Sequence, residues 1–113
     1  MQATTPNPAE QRPDIIRAIG QKAREITPAG SEVFLFGSHA RGDAHDGSDW
    51  DVLILIDKDR ITSDDIDKYT YPLREMGWDF NECINTVLFT KREWNMDSAS
   101  PFHQNVKRDQ IRL

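Results

Sequence analysis

Two short polar motifs carry the residue types that could do chemistry in this chain. The first is Gly37-Ser38, which follows the apolar run 33–36. The second is the pair Asp49 and Asp51, which leads into the apolar run 52–56. Gly37 has no β-carbon, so a phosphate can approach its backbone, and Ser38 adds a hydroxyl. Side chains two residues apart on a strand share a face, so the motifs predict a phosphate-binding turn beside two convergent carboxylates.

This pairing predicts a site for a metal ion and a phosphate. Two carboxylates on one face repel each other unless a cation lies between them. Mg²⁺, or Mn²⁺ in its place, suits the position, because Mg²⁺ accepts one or two carboxylates together with phosphate oxygens and water. A short helix after Gly37 would direct backbone amides at the same anion, and Arg41 would add a guanidinium. The expected chemistry is phosphoryl or nucleotidyl transfer. A P-loop phosphotransferase is excluded, because the chain has no Gly-Lys-Ser/Thr motif.

The elements that must position these motifs alternate between helix and strand. Apolar residues at helical spacing predict a helix that begins at Pro13, and Thr62 or Ser63 is the expected N-cap of a later one. The predicted order is helix, strand, short helix, strand, helix, strand and helix. Strands are expected over 32–36, 49–56 and 80–89, and a terminal helix over 101–111. This order predicts an α/β fold with a small mixed β-sheet flanked by helices.

Composition favours one globular domain. The chain has 113 residues and a net charge of −5, so general nucleic-acid binding through a basic surface is not expected. We expect a flexible arm over 1–12 and a single domain over 13–113. Membrane-spanning and secretory segments are not expected, and a single cysteine, Cys83, fits a cytoplasmic location. Cys83 is interpreted as a buried small side chain, and His39 as an exposed turn residue.

The two motifs resemble the signature of the DNA polymerase β-like nucleotidyltransferase superfamily, and the short chain resembles its minimal members. The signature covers about residues 34–56, as Gly37-Ser38-His39-Ala40-Arg41-Gly42 followed by Ser48-Asp49-Trp50-Asp51. The resemblance implies a nucleotidyltransferase fold in which Gly37 and Ser38 hold a triphosphate and Asp49 and Asp51 bind divalent metals. Arg41 matches an arginine that recurs in the minimal members. The implied reaction moves a nucleoside monophosphate from an NTP, often ATP, to a hydroxyl.

One feature departs from the superfamily pattern, which has a third carboxylate on a later strand. The expected position here is Asn85, and an amide cannot act as a general base near neutral pH. Glu82 is the nearest candidate for the catalytic carboxylate, although strand parity places it opposite Asn85 unless a bulge intervenes. Asp79 has the right parity but lies at the edge of the predicted strand. The sequence leaves these alternatives open.

The resemblance also implies a partner. Larger relatives carry a further domain that holds the acceptor, and this chain leaves no room for one, so a partner protein or a second copy must supply that surface. In the minimal members the partner is commonly a HEPN-domain toxin, which the nucleotidyltransferase, acting as antitoxin, modifies. A second hypothesis stays open, in which a noncatalytic module binds nucleotide and metal and acts by contact alone. Asn85 motivates that alternative.

Overall fold

The computed structural model describes residues 12–113. Helices and strands alternate through most of this part of the chain, as the sequence predicts. The predicted arm lies almost wholly outside the described residues. The elements are α1 (Pro13–Ile26), β1 (Glu32–Phe36), α2 (Ser38–Arg41), β2 (Trp50–Ile56), α3 (Ser63–Asp79), β3 (Ile84–Thr90), α4 (Lys91–Met96), α5 (Pro101–Asp109) and β4 (Ile111–Arg112).

The four strands form one mixed sheet in the order β3-β2-β1-β4. β1 pairs antiparallel with both β2 and β4, whereas β2 and β3 run parallel. This confirms the predicted fold class. The register sets Asp51 between Phe36 on β1 and Asn85 on β3. The C-terminal end of β1 and the N-terminal ends of β2 and β3 therefore lie side by side, and both polar motifs lie at these strand ends.

Each face of the sheet is covered by its own pair of helices. On one face, Val52 and Ile54 pack with buried residues of α1 and α3 such as Ile19 and Leu73. On the other, Leu53 and Leu55 of β2 pack with Phe34, Trp94 of α4 and Val106 of α5. Because side chains alternate along a strand, Asp51 belongs to the face that α4 and α5 cover. Within residues 12–113, none of the helices is both long and apolar enough to cross a bilayer.

The third strand begins later than predicted. The helix before it runs through Pro72 and Gly77 to Asp79, and a tight turn follows in which Asn81 has a φ of +59°. Gly77 permits this turn, because a β-carbon there would lie 2.9 Å from the carbonyl oxygen of Glu82. The amide of Glu82 donates to the carbonyl of Gly77 at 2.8 Å. Residues 80–83 therefore close the helix before the strand starts at Ile84.

The C-terminal segment also differs from the prediction of one helix over 101–111. The helix ends at Asp109, and Ile111 and Arg112 form β4 on the edge of the sheet. Phe34 pairs with Arg112, and Leu35 with Ile111. β1 has a free edge that can accept backbone hydrogen bonds, and this long-range pairing overrides the local helical pattern.

Acid should destabilise the fold through Asp65 at the start of α3. Asp65 forms a capping box with Thr62, and the ammonium of Lys58 contacts both its oxygens at 2.8 Å. The bond from Lys58, followed by that from the Thr62 backbone, lowers the pKa of Asp65 from its usual 3.8 to about 2. A depressed carboxyl pKa stabilises the fold above 3.8, and this contribution disappears as the pH falls towards 2. Asp65→Asn should remove that part of the pH dependence in urea unfolding, whereas Asp64→Asn, at an exposed neighbour, should retain it.

Candidate active site

The Gly37-Ser38 turn and the carboxylate pair meet where β1 ends and β2 begins. Gly37 follows β1 with a φ of +77°, a left-handed conformation that favours glycine. Its Cα faces the carboxylate of Asp51 so closely that a β-carbon would collide with Oδ2. The four-residue helix α2 starts at the next residue, Ser38. The site thus has Gly37 and Ser38 on one side and Asp51 directly beside them.

The two carboxylates of the pair repel each other electrostatically. Asp49 is exposed just before β2, and Asp51 is half-buried within it. Burial raises the pKa of Asp51, and the negative charge of Asp49 raises it further. A hydrogen bond from Asn85 and the positive charges near the site oppose that shift. A bound cation would relieve this repulsion, as the sequence reasoning requires.

Asn85 occupies the position opposite Asp51 on β3. Its Nδ2 lies 3.4 Å from Oδ1 of Asp51, and the two residues are partners in the parallel register. In residues 12–113, no three His, Cys, Asp or Glu side chains come together as a metal-binding group. The carboxylates of the site are thus the pair Asp49 and Asp51, with an amide where the superfamily pattern has a third acid.

Glu82, the nearest candidate for the third carboxylate in the sequence, does not join the pair. Its Oε1 accepts a hydrogen bond from Nε1 of Trp50 at 2.8 Å, and its Oε2 lies 3.5 Å from Nη1 of Arg12. Trp50 points to the opposite face of β2 from Asp51, into the core with Val52. Glu82 lies in the turn before β3, which starts at Ile84, so it is not part of the strand on which Asn85 faces Asp51. Asp79, the other candidate, is the exposed last residue of α3.

Trp50 links the two motifs through a stacking contact on the face of β2 opposite to Asp51. Its indole is 1% exposed and stacks on the ring of His39, with 3.6 Å between centroids. His39 belongs to α2, and its Nε2 lies 3.2 Å from the carbonyl oxygen of Ser48. His39 is therefore buried rather than exposed as predicted, because Trp50 offers it an aromatic surface. This stack holds the Gly-Ser turn against the strand that carries the aspartates.

Two residues near the site have contacts that the sequence did not predict. Arg41 donates from Nε to Asp43 at 3.2 Å and from Nη1 to Asp109 at 3.0 Å. Cys83 is exposed rather than buried and lies beside Asp49. Partial burial and then the charge of Asp49 raise the pKa of the Cys83 thiol. In the parallel register that pairs Asp51 with Asn85, the residue opposite Asp49 is Cys83. Strand register could therefore have indicated the closeness of Cys83 to Asp49.

The family assignment comes from a sequence comparison. The model of the nucleotidyltransferase domain family matches residues 16–106, which include both motifs and most of the fold. The chain belongs to this nucleotidyltransferase domain family. The match confirms the family predicted from the Gly-Ser turn and the aspartate pair.

Solved structures show the same fold as this nucleotidyltransferase domain. A toxin-antitoxin crystal structure with AMP-PNP has a TM-score of 0.57 and 21% identity, over 88% of this chain and 69% of that one. A protein from Sulfolobus solfataricus, assigned as a nucleotidyltransferase, has a TM-score of 0.57 and 19% identity, over 87% of this chain and 75% of that one. No curated protein sequence matches the chain. At these identities, the likeness establishes the fold alone.

The close approach of Gly37 to Asp51 gives a sharp test of the site. If the site takes Mg²⁺-ATP, Gly37→Ala should weaken that binding, because the new methyl group would displace the Asp51 carboxylate. Gly47→Ala is the matched control, since Gly47 also has a positive φ of +87° but has no atom within 4 Å of the position that a β-carbon would take. Both variants replace a glycine of positive φ and so strain the backbone, by about 1–3 kcal/mol at Gly37, whose φ of +77° and ψ of −159° are essentially restricted to glycine. Isothermal titration of Mg²⁺-ATP checks the difference, and equal losses in the two variants would contradict the assigned contact.

Proposed function

We propose that this chain is a Mg²⁺-dependent nucleotidyltransferase that moves AMP from ATP to a hydroxyl group on a partner protein. The contact between Gly37 and the carboxylate of Asp51 carries the proposal. It sets a turn suited to phosphate directly against a carboxylate suited to a divalent cation. Nucleotidyl transfer needs both on one triphosphate, because the outer phosphates must be held while the negative charge that develops at the breaking bond is neutralised.

Each residue of the site has a distinct proposed task. Gly37 and Ser38 bind the outer phosphates through the backbone and the serine hydroxyl, and Arg41 adds a guanidinium. Asp49 and Asp51 would hold Mg²⁺, or Mn²⁺ in its place. Within residues 12–113 no third His, Cys, Asp or Glu side chain joins the two carboxylates, which suits Mg²⁺ that arrives with its nucleotide, since Mg²⁺ fills its other positions with phosphate oxygens and water. The bound ion would supply charge neutralisation at the α-phosphate.

The proposed reaction is an in-line displacement at the α-phosphorus of ATP. The acceptor oxygen forms a bond to that phosphorus while the bond to the bridging oxygen of the β-phosphate breaks. Pyrophosphate leaves with the bonding electrons, and the hydroxyl proton passes to solvent. Asn85 can orient the hydroxyl through its amide but cannot take the proton. The chain's own residues therefore contribute positioning and charge more than proton transfer.

The proposed acceptor is a partner protein. The similarity to a toxin-antitoxin structure with AMP-PNP supports a protein partner and an adenine nucleotide, both carried over from a neighbour of the same fold. We propose that the partner is a HEPN-type toxin, which this chain modifies as antitoxin. A cytoplasmic location is in keeping with a chain that has a single cysteine.

A second function is favoured by Asn85 itself. Its amide lies 3.4 Å from Asp51, where the superfamily pattern has an acid, so the site retains the groups for nucleotide and metal without the expected base. In that case the protein binds Mg²⁺-ATP and neutralises its partner by contact alone. The two functions predict the same nucleotide affinity and differ only in turnover.

Label transfer separates the two functions. The full chain is incubated with Mg²⁺, the protein encoded beside it and ATP labelled at either the α- or the γ-phosphate. The enzyme hypothesis predicts a partner labelled from α-labelled ATP only, together with one pyrophosphate for each label. Mg²⁺-dependent ATP binding without label or pyrophosphate would reject transfer and support the binding module. Label from γ-labelled ATP would indicate phosphoryl transfer and contradict both.

A further inference from the structure

A small cavity adjoins the phosphate-binding turn on the side of α5. It has a volume of about 190 Å³, its polar lining is Gly37, Arg41, Asn105, Arg108 and Asp109, and its apolar lining is Phe36, Phe102 and Val106. Two residues of the proposed phosphate site thus share a cavity with the last turn of a helix that is far away in sequence. Gly37 belongs both to the turn and to the lining, so a group bound at the turn would adjoin this cavity.

Asp109 joins two guanidinium groups at the cavity wall. Its Oδ2 accepts from Nη1 of Arg41 at 3.0 Å, and its Oδ1 accepts from Nε of Arg108 at 3.1 Å. The side chain of Asp109 is only 7% exposed. Burial acts to raise the pKa of Asp109, but the hydrogen bonds from Arg108 and Arg41 hold it below its usual value. Asp109 is therefore an ionised anchor that fixes both guanidinium groups beside the turn.

Arg41 and Arg108 differ in how many guanidinium nitrogens remain available to bind another anion. Arg41 donates from Nε to Asp43 and from Nη1 to Asp109, so two of its three guanidinium nitrogens already contact carboxylates. Arg108 contacts Asp109 through Nε alone among the described residues, and its side chain is 67% exposed. Its two Nη groups remain for another anion. A guanidinium presents five N–H donors in a planar fork that matches the oxygens of a phosphate.

We propose that Arg108 is a second phosphate-binding arginine of the nucleotide site, beside Arg41, oriented by Asp109 to contact the outer phosphates of the nucleotide bound at Gly37 and Ser38. The inference rests on the proposed function, since it assumes that a triphosphate occupies the Gly-Ser turn. In this role Arg108 favours triphosphate-bearing donors over nucleoside monophosphates, because only the former carry outer phosphates for it to contact. Asp109 is a positioning residue in this arrangement.

Binding of phosphate compounds by the full chain tests the proposal. The affinities of ATP, AMP and inorganic tripolyphosphate are measured with Mg²⁺ present, for the wild type and for Arg108→Gln. A lost charge-assisted contact should weaken ATP and tripolyphosphate by at least about tenfold and leave AMP nearly unchanged. Lys107→Gln is the matched control, because it removes the same charge from the adjacent residue, which does not line the cavity.

The outcomes distinguish this inference from the proposed function. Equal small effects of Arg108→Gln and Lys107→Gln would overturn the role of Arg108, as would an equal loss for AMP and ATP. Asp51→Asn, measured in parallel, tests the donor site itself. If it abolishes Mg²⁺-dependent ATP binding while Arg108→Gln acts like the control, only the inference fails. If Asp51→Asn leaves ATP binding intact, the proposed function fails and the inference with it. Arg108→Lys keeps the charge without the fork and should recover part of the tripolyphosphate affinity.

Discussion

Asp51→Asn should reduce nucleotidyl transfer by at least about a thousandfold, because the metal that this carboxylate would hold supplies several kcal/mol of charge stabilisation. The amide keeps the size of the side chain, so the turn at Gly37 retains its close neighbour. It has no negative charge to offer a cation. The double variant with Asp49→Asn should abolish both transfer and Mn²⁺ binding, which electron paramagnetic resonance can measure directly.

The same substitution should stabilise the fold. Burial raises the pKa of Asp51, and the charge of Asp49 adds to the shift. A carboxyl with a raised pKa binds its proton more tightly in the folded state, so the ionised form opposes folding at neutral pH. This cost disappears as the pH falls from the raised value towards the usual 3.8. Asp51→Asn should therefore unfold at a higher temperature than the wild type at neutral pH, with a smaller difference in acid.

Asp57→Asn is the control for both effects. Asp57 directly follows the distal end of β2, far along the strand from the Gly-Ser turn, and the substitution removes the same charge. It should leave transfer and Mn²⁺ binding at wild-type levels. Activity that survives Asp51→Asn, or is lost equally in Asp57→Asn, would show that the metal site lies elsewhere. Lost activity with lowered stability in Asp51→Asn would indicate a structural role instead.

The closeness of the Gly-Ser turn to the aspartate pair could be predicted because its determinants are local. Gly37 and Ser38 follow a strand directly, and Asp49 and Asp51 need only strand alternation to share a face. Thr62 and Thr90 begin helices through capping boxes that the sequence also displays. In each case the residues that decide the geometry lie within a few positions of one another. Local patterns of this kind hold whatever packs above them.

The remaining features depend on residues that are distant in sequence. Arg41 and Asp109 are 68 positions apart, and their ion pair exists only because α5 returns to the sheet edge. The bond from Trp50 to Glu82 likewise follows from the turn at Asn81, whose left-handed conformation no pattern of hydrophobicity reveals. β4 forms because β1 has an open edge. These contacts depend on tertiary packing, which overrides local preference.

Asn85→Asp should raise the rate of transfer, on the order of a hundredfold or more, if a missing carboxylate limits the wild type. The backbone at this position already pairs with Asp51, and the present amide lies 3.4 Å from its carboxylate. An acid there could orient the acceptor hydroxyl and accept its proton. A third negative charge should also lower stability without metal and strengthen Mn²⁺ binding. Transfer rates with the partner, together with melting curves with and without Mn²⁺, check these effects.

Glu82→Gln completes the comparison, because it removes a nearby carboxylate that the structure places elsewhere. A glutamine oxygen can still accept the bond from Trp50, so this variant should retain the wild-type rate. A loss as large as that of Asp51→Asn would return Glu82 to the catalytic site.

The wild-type transfer rate, compared with the rate of Asn85→Asp, also separates the two proposed functions. An enzyme would gain speed from a measurable rate, whereas a binding module would acquire transfer that the wild type lacks. A variant with strengthened Mn²⁺ binding but unchanged transfer would show that the acceptor, rather than the base, limits the reaction.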